Sequence, residues 1–449
     1  MRVLLQILPS PDVTSAVIDA PSKQVATDVA GDIPGVELDT SYSPFAMPMP
    51  LPRSDDGDPL SLRQPLTFSM EPDVATVLVR GEIADDELGS RLPMLTARYP
   101  HVVGIFADPA IGPLPNCPDH PVGKWEDVAQ QLHVADLHEQ GLDGSSVPVA
   151  VLDTGINIAH LAGAREGVQV DLDLSWSPPS VGHVPGRFPV GHGTMCAFNV
   201  LIAAPSAQLL DLPVLRSRAP GRTVMEGLLS DAVAAFAHLR RILDLVPEVD
   251  RALVVSNSWG PYGPQQDFVP GHPGNYSDSL AHPFNQAVME LESAGADILF
   301  AAGNCGRDCP VSDCGWSSRP IVGANSHPQA LSVGGVDVRG DRVGYSSQGP
   351  GRLDRRKPDV CAYTHFLGSQ AYGAGEADTG TSTACPVVAG VMAALRTAWP
   401  AGRLSPEVMR RLLQHTALGR NGLGFNDDYG YGTIDVPGVL AALHRLPSN

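Results

Sequence analysis

Short apolar runs alternate with amphipathic segments along most of the chain, and their spacing changes near residue 110. Before that point, four apolar runs predict strands. They span residues 2–8, 35–47, 75–83 and 101–109. Two intervening segments, 12–30 and 85–100, predict helices. The order strand-helix-strand-strand-helix-strand is typical of a ferredoxin-like α+β domain, which we expect over residues 1–109.

A Pro-rich stretch at 110–124 predicts a linker, and the pattern after it changes to apolar strands joined by helices. The predicted strands span 147–155, 207–215, 251–260, 296–304 and 329–336. This alternation predicts an α/β domain over residues 125–449, with a parallel sheet that helices cover on both faces. Ligands of such sheets bind beyond the carboxyl ends of the strands. Polar residues that directly follow strands are therefore candidates for a site.

The net charge limits which classes of partner are expected, and the lengths of the apolar runs predict the cellular location. The chain has 30 basic and 49 acidic side chains, a formal net charge of −19. This balance disfavours nucleic acids and anionic membranes, because both recruit Lys and Arg. The apolar run that opens the chain ends before Pro9, which makes it shorter than the ~7–15 residues of a secretory signal. No stretch reaches the ~20 apolar residues of a membrane span, so the sequence predicts a cytoplasmic protein with reduced cysteines.

Four polar residues lie at places where a site is expected. Asp153 follows the apolar letters VAVL, and His192 lies in GHGT. Asn304 ends LFAAGN, and Ser382 lies in GTSTACP before an apolar helix. Each has an ordinary structural explanation when taken alone, since Asp and Asn form turns and Ser caps helices.

Taken together, the four residues fit one reaction. A serine hydroxyl is a weak nucleophile that needs an adjacent base. His192 would supply that base, and a buried Asp153 would orient it. The Asn304 amide and the Ser382 backbone N–H would stabilise an oxyanion, next to the positive end of the following helix. The order Asp, His, Ser along the chain is one of the known orders of such a triad.

Further stretches extend this pattern. They are VAVLDTGINIAH (149–160), GHGT (191–194), AAPSAQLLDLPVL (203–215), SNSWG (256–260), AAGN (301–304), SSQGP (346–350), KPDV (357–360), GTSTACP (380–386) and YGYGTIDV (429–436). On these residues the chain resembles the subtilases, the subtilisin family of serine endopeptidases, over roughly 145–440. The resemblance implies a catalytic triad of Ser382, His192 and Asp153, with Asn304 in the oxyanion hole. It also implies that protein or peptide substrates are hydrolysed through an acyl-enzyme intermediate.

The resemblance further implies where the substrate and the N-terminal domain bind. An extended substrate is expected to contact Ser256, Asn257, Ser258, Trp259, Gly260, Ala301, Ala302 and Gly303. Many subtilases carry a ferredoxin-like propeptide that inhibits the active site. The N-terminal domain is therefore expected to act as an intramolecular inhibitor, with self-cleavage within 108–124, although a retained regulatory domain and an unrelated accessory domain stay open. Catalysis requires no cofactor and no catalytic metal, while the acidic clusters at 171–174 and 425–430 are candidates for structural calcium.

Three features leave alternatives open. Cys305, Cys309 and Cys314 could form a zinc site that lacks a fourth ligand, a disulfide, or three unpaired thiols, which a reducing compartment favours. Asp308 and Asp313 could line the substrate pocket and select a basic residue before the scissile bond (P1), whereas an apolar or mixed preference is the main expectation.

For the whole protein we expect an intracellular processing protease. The alternatives are a catalytically silent binding protein with the same fold and an acid protease of the sedolisin type.

Overall fold

A computed structural model describes residues 1–50, 68–84, 95–113, 120–165, 167–182, 184–217, 225–309, 314–316, 318–420 and 424–445. These residues form an N-terminal unit built on an antiparallel sheet and a C-terminal unit built on a parallel sheet. None of the helices in these ranges is long and apolar enough to cross a bilayer.

The N-terminal sheet has five strands in the order β2-β6-β1-β7, with β3 also paired to β6, and all pairings are antiparallel. Its strands are β1 (Arg2–Ile7), β2 (Val36–Leu38), β3 (Phe45–Met47), β6 (Thr76–Ile83) and β7 (Val102–Ala107), and a separate pair joins β4 (Met49–Pro50) to β5 (Phe68–Ser69). The helix expected over 12–30 is two helices, α1 (Pro11–Asp19) and α2 (Ala26–Ala30), because Pro21 cannot continue α1. Most of the other expected helix, residues 85–94, lies outside the described residues. The ferredoxin-like classification stays a prediction.

The C-terminal unit confirms the expected parallel sheet. Its seven strands have the order β10-β11-β9-β13-β15-β16-β17, and every pairing is parallel. The strands are β9 (Pro148–Leu152), β10 (Gln169–Asp171), β11 (Gln208–Leu212), β13 (Val254–Asn257), β15 (Asp297–Ala301), β16 (Leu331–Val336) and β17 (Val360–Tyr363). Outside this sheet lie β8 (Ala110–Gly112), β12 (Gly227–Leu228), β14 (Gly260–Pro261), β18 (Phe366–Leu367) and β19 (Ala377–Asp378).

Helices cover both faces of the parallel sheet, as the near-continuous apolar strands require. In β9, Val149 and Val151 belong to one core cluster, and Ala150 and Leu152 to the other, because successive side chains of a strand point to opposite faces. The first cluster contains residues of α3 (Trp125–Gln131), α4 (Val134–Glu139), α5 (Ile158–Ala164), α6 (His192–Val200), α9 (Thr381–Arg396), α10 (Pro406–Thr416) and α11 (Val436–Leu443). The second contains residues of α7 (Leu229–Asp244) and α8 (Pro283–Ser293).

The N-terminal unit packs on α7 through apolar and charged contacts. Phe45 of β3 shares the second core cluster with α7, and the Tyr42 hydroxyl donates to the carbonyl oxygen of Ser230 (2.8 Å). The Arg80 guanidinium lies 4.2 Å from the centre of the Tyr42 ring and 3.4 Å from Asp231 Oδ2. The Asp108 carboxylate accepts hydrogen bonds from Ser230 N (2.8 Å) and Ser230 Oγ (2.9 Å). Asp108 therefore holds the first turn of a helix in the other unit from a position that is buried from solvent.

We predict that protonation of Asp108 stabilises this arrangement. Burial raises the pKa of Asp108 from 3.8 to about 6, although Arg80 and Ser230 lower it. A group with a raised pKa contributes stability in full below the unfolded-state pKa, and that contribution is lost as the pH rises through the folded-state value. From pH 4.5 to 6.5, Asp108 should therefore lower the free energy of unfolding by about 2 kcal/mol. Urea denaturation at several pH values should show a larger loss of stability in the wild type than in Asp108→Asn, and the difference is the contribution of Asp108. Equal pH slopes in the two proteins would contradict the prediction.

Candidate active site

Asp153 and His192 meet at the carboxyl edge of the parallel sheet. Asp153 directly follows β9 and is fully buried, and His192 is the first residue of α6. His192 Nδ1 lies 2.8 Å from Asp153 Oδ1 and 2.9 Å from Asp153 Oδ2. An ionised carboxylate only accepts hydrogen bonds, so Nδ1 donates. Nε2 is then the nitrogen of His192 that can act as a base.

Two glycines allow the segments that carry this pair to pack directly against each other. A Cβ atom on Gly193 would lie 2.6 Å from the carbonyl oxygen of Gly155, so any side chain at position 193 would push the segments apart. Gly193 N also donates to Thr154 Oγ1 (2.9 Å). The letters DTG and GHGT are therefore one interlocked structure that sets the distance from His192 to Asp153.

Ser382 is the second residue of α9, which follows Gly380 in a left-handed conformation (φ 82°). Its side chain is buried, and Ser382 Oγ donates to the carbonyl oxygen of Ser258 (3.2 Å). Within the described residues, Ser382 Oγ makes no hydrogen bond to His192. Such bonds are often loose in unliganded sites and tighten when substrate binds.

Pro386 explains how the backbone of Ser382 is held. A proline has no N–H, so Pro386 cannot donate to the carbonyl oxygen four residues earlier. That oxygen, on Ser382, instead accepts from Ser258 Oγ (3.0 Å) and Cys196 Sγ (3.5 Å). Ser258 and Ser382 thus exchange two hydrogen bonds, which tie the start of α9 to the segment that follows β13.

Asn304 lies just beyond β15, with its amide oriented by α9. Asn304 Oδ1 accepts hydrogen bonds from Thr381 N (2.9 Å) and Thr381 Oγ1 (3.0 Å). Because Oδ1 receives both donors, Nδ2 is the amide atom that can donate toward a ligand. The structure therefore brings all four sequence-predicted residues to one edge of the sheet.

A cleft lies beside Ser382, between the segments that follow β13 and β15. It is lined by Ser258, Trp259, Gly260, Pro261, Ala301, Ala302, Gly303, Asn304, Pro320, Val322, Asn325, Thr381 and Ser382. Of the expected substrate-binding residues, Ser256 and Asn257 do not line it. They lie inside β13, where Asn257 Nδ2 donates to the carbonyl oxygen of Leu299 (3.0 Å). Asn325 lines the cleft and was missed by the sequence analysis, because nothing in the letters GANS indicates a ligand pocket.

The beginning of the expected linker is a strand that pairs with two residues of the cleft lining, Gly260 and Pro261. β8 pairs antiparallel with both β12 and β14, in the order β12-β8-β14. Gly112 lies opposite Gly260, and Ile111 lies opposite Gly227 and is fully buried. Gly260, which lines the cleft, is thus already paired along its backbone with a segment that leads out of the N-terminal unit.

The thiols near the site correct one expectation. Cys305 and Cys314 form a disulfide with a Cα–Cα distance of 5.8 Å, which is ordinary for such a bond, and Cys309 is also disulfide-bonded. The expectation of three unpaired thiols is wrong, because the loop folds back and brings Cys314 to Cys305. Asp308 forms an ion pair with Arg342 and does not line the cleft, while Asp313 lies outside the described residues.

Cys196 is a further residue that the sequence analysis did not assign to the site. Its Sγ lies 3.5 Å from Asp153 Oδ2 and 3.7 Å from His192 Nδ1. The spacing of four residues from His192 on one helix was the available signal, because such residues share a face. Burial raises the pKa of the Cys196 thiol well above its ordinary value, so the thiol stays neutral beneath the pair. Cys385 is likewise buried, with Sγ directed to the carbonyl oxygen of Asn257 (3.7 Å).

The two acidic clusters that were candidates for structural calcium form hydrogen-bonded turns in the described residues. In the first, Asp171 Oδ1 accepts from the backbone N–H groups of Asp173 and Leu174. In the second, Asn426 Oδ1 accepts from the N–H groups of Asp428 and Tyr429. Calcium needs about six to eight oxygen ligands, and structural calcium at these clusters stays a prediction.

The chain is similar to known proteins over most of its C-terminal unit. A model of the subtilase family matches residues 144–432. Subtilisin E of Bacillus subtilis (strain 168) is 28% identical over 310 residues, which are 68% of each chain. M-protease of Shouchella clausii (strain KSM-K16) is 31% identical over 306 residues, 67% of this chain and 65% of that protein. Subtilisin Savinase of Lederbergia lenta is 30% identical over 306 residues, 67% of this chain and 92% of that protein.

The family match covers more than half of the chain and contains Asp153, His192, Asn304 and Ser382. The parallel sheet with helices on both faces lies almost entirely within the same residues. The chain therefore belongs to the subtilase family of serine endopeptidases.

Proposed function

We propose that Asp153, His192 and Ser382 form the catalytic triad and that the protein cleaves peptide bonds through an acyl-enzyme. The observation that carries the proposal is the short contact of His192 Nδ1 with both Asp153 oxygens, 2.8 and 2.9 Å. This contact fixes the tautomer in which Nε2 is unprotonated. Ser382 stands at the amino end of α9 and lines the same cleft as Asn304.

In the proposed reaction, Ser382 Oγ attacks the scissile carbonyl carbon while His192 Nε2 takes its proton. Asp153 stays ionised and stabilises the imidazolium that forms. His192 then passes the proton to the leaving amine, and the C–N bond breaks to leave an ester on Ser382. A water molecule attacks this ester with His192 again as base, which releases the new carboxyl terminus and restores the Ser382 hydroxyl.

Asn304 and the backbone of Ser382 would stabilise the oxyanion of each tetrahedral intermediate. The orientation of Asn304 supports this role, because Thr381 holds Oδ1 through two hydrogen bonds. The donor is then positioned before the reaction begins, and preorganised donors carry much of the rate enhancement of acyl transfer.

We predict that Asn304→Ala lowers kcat by roughly 10²–10³ with little change in KM. The amide acts on charge that develops in the transition state, so its loss should scarcely affect peptide binding. Steady-state hydrolysis of a fluorogenic peptide measures both constants. Asn257→Ala is a matched control, because Asn257 is a buried amide outside the cleft. A variant whose KM rises while kcat is unchanged would contradict an oxyanion role for Asn304.

We further propose that the N-terminal unit is an intramolecular inhibitor. β8 supports this, because its Gly112 pairs with Gly260 where an extended substrate would add as a strand. The other end of the expected cleavage segment is also held by the C-terminal unit, since the carbonyl oxygen of His120 accepts from His365 (3.0 Å). His365 in turn contacts Thr379, three residues before Ser382. A chain held at both positions would block substrates until it is cut.

Intact mass spectrometry tests the inhibitor proposal. Wild type should lose a fragment that ends within residues 108–124, and Ser382→Ala should keep its full mass. Addition of the released fragment to the processed enzyme should restore inhibition. A full-length wild type that hydrolyses peptides at the same rate as processed protein would exclude the inhibitory role.

An intracellular processing role stays a prediction, and one observation opposes it. Disulfides such as Cys305–Cys314 form and persist mainly in oxidising compartments. One experiment decides between a reducing and an oxidising compartment. Cells are alkylated under denaturing conditions, and the peptides that contain Cys305 and Cys314 are then identified by mass spectrometry. Alkylated thiols would support a cytoplasmic location, and an intact disulfide would oppose it.

A further inference from the structure

Asn325 closes the base of the cleft beside Ser382 with an unsatisfied acceptor. Its Nδ2 donates to the carbonyl oxygens of Trp259 (2.8 Å) and Ala301 (2.8 Å). Asn325 thereby bridges the two segments that form the walls of the cleft. The residue is only 5% exposed, and its Oδ1 has no hydrogen-bond partner in the described part of the chain.

An unpaired acceptor at this depth is unfavourable, because it has lost water without gaining a donor. Most buried polar atoms in folded proteins have a partner. Both amide hydrogens are committed to wall carbonyls, so Asn325 cannot turn its amide over without losing two hydrogen bonds. A ligand group that reaches the base of the cleft and donates to Oδ1 would therefore be preferred over an apolar group of equal size.

The remaining walls disfavour a charged group at the same place. The described lining residues include no carboxylate, and Asp308 is paired with Arg342 instead. A lysine or arginine side chain would meet no counter-charge among these described residues, and an unpaired buried charge is costly. A carboxylate would meet Oδ1, a second acceptor. The Trp259 ring packs in the core against Phe284 and Phe300, away from the cleft.

We propose that Asn325 determines specificity and selects substrates whose P1 side chain ends in a neutral hydrogen-bond donor, with glutamine as the preferred residue. The inference rests on the proposed function, because it assigns the P1 pocket of the same site. Glutamine combines the length of methionine with an amide that donates to Asn325 Oδ1. Glutamate has the same shape and lacks the donor.

Three fluorogenic peptides that differ only in P1 (Gln, Met or Glu) test this assignment on the full chain after its self-processing is complete. In the wild type, kcat/KM for P1 Gln should exceed that for P1 Met by roughly three- to tenfold, and P1 Glu should be poorest. In Asn325→Ala, the ratio of Gln to Met should fall to one or below. A P1 Ala peptide, which offers no side-chain donor, measures how far the loss of the two wall hydrogen bonds lowers cleavage in general, and the Gln-to-Met ratio is compared with that loss.

Val322→Ala is the matched control, since Val322 lines the same cleft without a polar side chain. It should change the Gln and Met substrates together and leave their ratio intact. If Asn325→Ala is too unstable to assay, the order of the three peptides in the wild type decides alone. Wild type that cleaves Met as well as or better than Gln would overturn the P1 assignment and leave the proposed peptidase standing. Absence of cleavage of every peptide would overturn both.

Discussion

Replacing Ser382 with alanine is expected to lower kcat by on the order of 10⁶, close to the loss seen when a whole triad is removed. Alanine has no atom that can form the acyl bond, and the neighbouring groups cannot supply one, because the Cys196 thiol is buried and neutral. Residual hydrolysis would come from the oxyanion donors and substrate binding alone. The measurement is steady-state hydrolysis with active-site titration of the wild type.

The matched control for this loss is Ser258→Ala. Ser258 exchanges hydrogen bonds with Ser382 and lines the same cleft, but it has no covalent role in the proposal. This variant should keep the greater part of its activity and lose stability, because the Ser382 carbonyl oxygen then keeps only the weak Cys196 contact. A Ser382→Ala protein with a tenth of wild-type activity would rule out Ser382 as the nucleophile.

The second large effect is expected for Asp153→Asn, which should lower kcat by about 10⁴. Asparagine can turn its Nδ2 toward His192 Nδ1, which would then have to accept. The proton would move to Nε2, the atom that must act as base, while the geometry of the site stays nearly unchanged. Peptide hydrolysis at neutral pH measures the loss.

Asp211→Asn provides the comparison for Asp153→Asn. Asp211 is also a buried carboxylate at the same sheet edge, but it accepts from the backbone N–H groups of Ile156 and Gly186 and does not touch His192. The effect of Asp211→Asn should therefore fall mainly on the free energy of unfolding and less on kcat. Similar kcat losses in both variants would contradict the orienting role of Asp153.

The sequence was sufficient to predict the parallel sheet and to propose that the four candidate residues lie at its carboxyl edge, because both follow from short stretches of neighbouring residues. Apolar strands that end in polar residues place Asp153 and Asn304 at one edge of a parallel sheet. The glycines around His192 and before Ser382 mark a close approach and a left-handed turn, and the structure contains both. The break between α1 and α2 also has a local cause, because Pro21 cannot continue α1.

Other parts of the site depend on contacts between distant segments. Asn325 is 57 residues before Ser382, and only the fold brings it to the base of the cleft. The Cys305–Cys314 bond depends on how one loop folds back, which spacing alone does not determine. The insertion of β8 between β12 and β14 joins residues more than a hundred positions apart. A Pro-rich composition indicated only a linker there.

Labelling with a fluorophosphonate probe tests the central claim most directly, because the probe reacts with a serine only when a base and an oxyanion hole activate it. The processed wild type should take up one equivalent, with the adduct mapped by mass spectrometry to Ser382, and Asp153→Asn should label far more slowly. Processed wild type that takes up no probe, or that carries it on another residue, would contradict the account and favour the catalytically silent alternative.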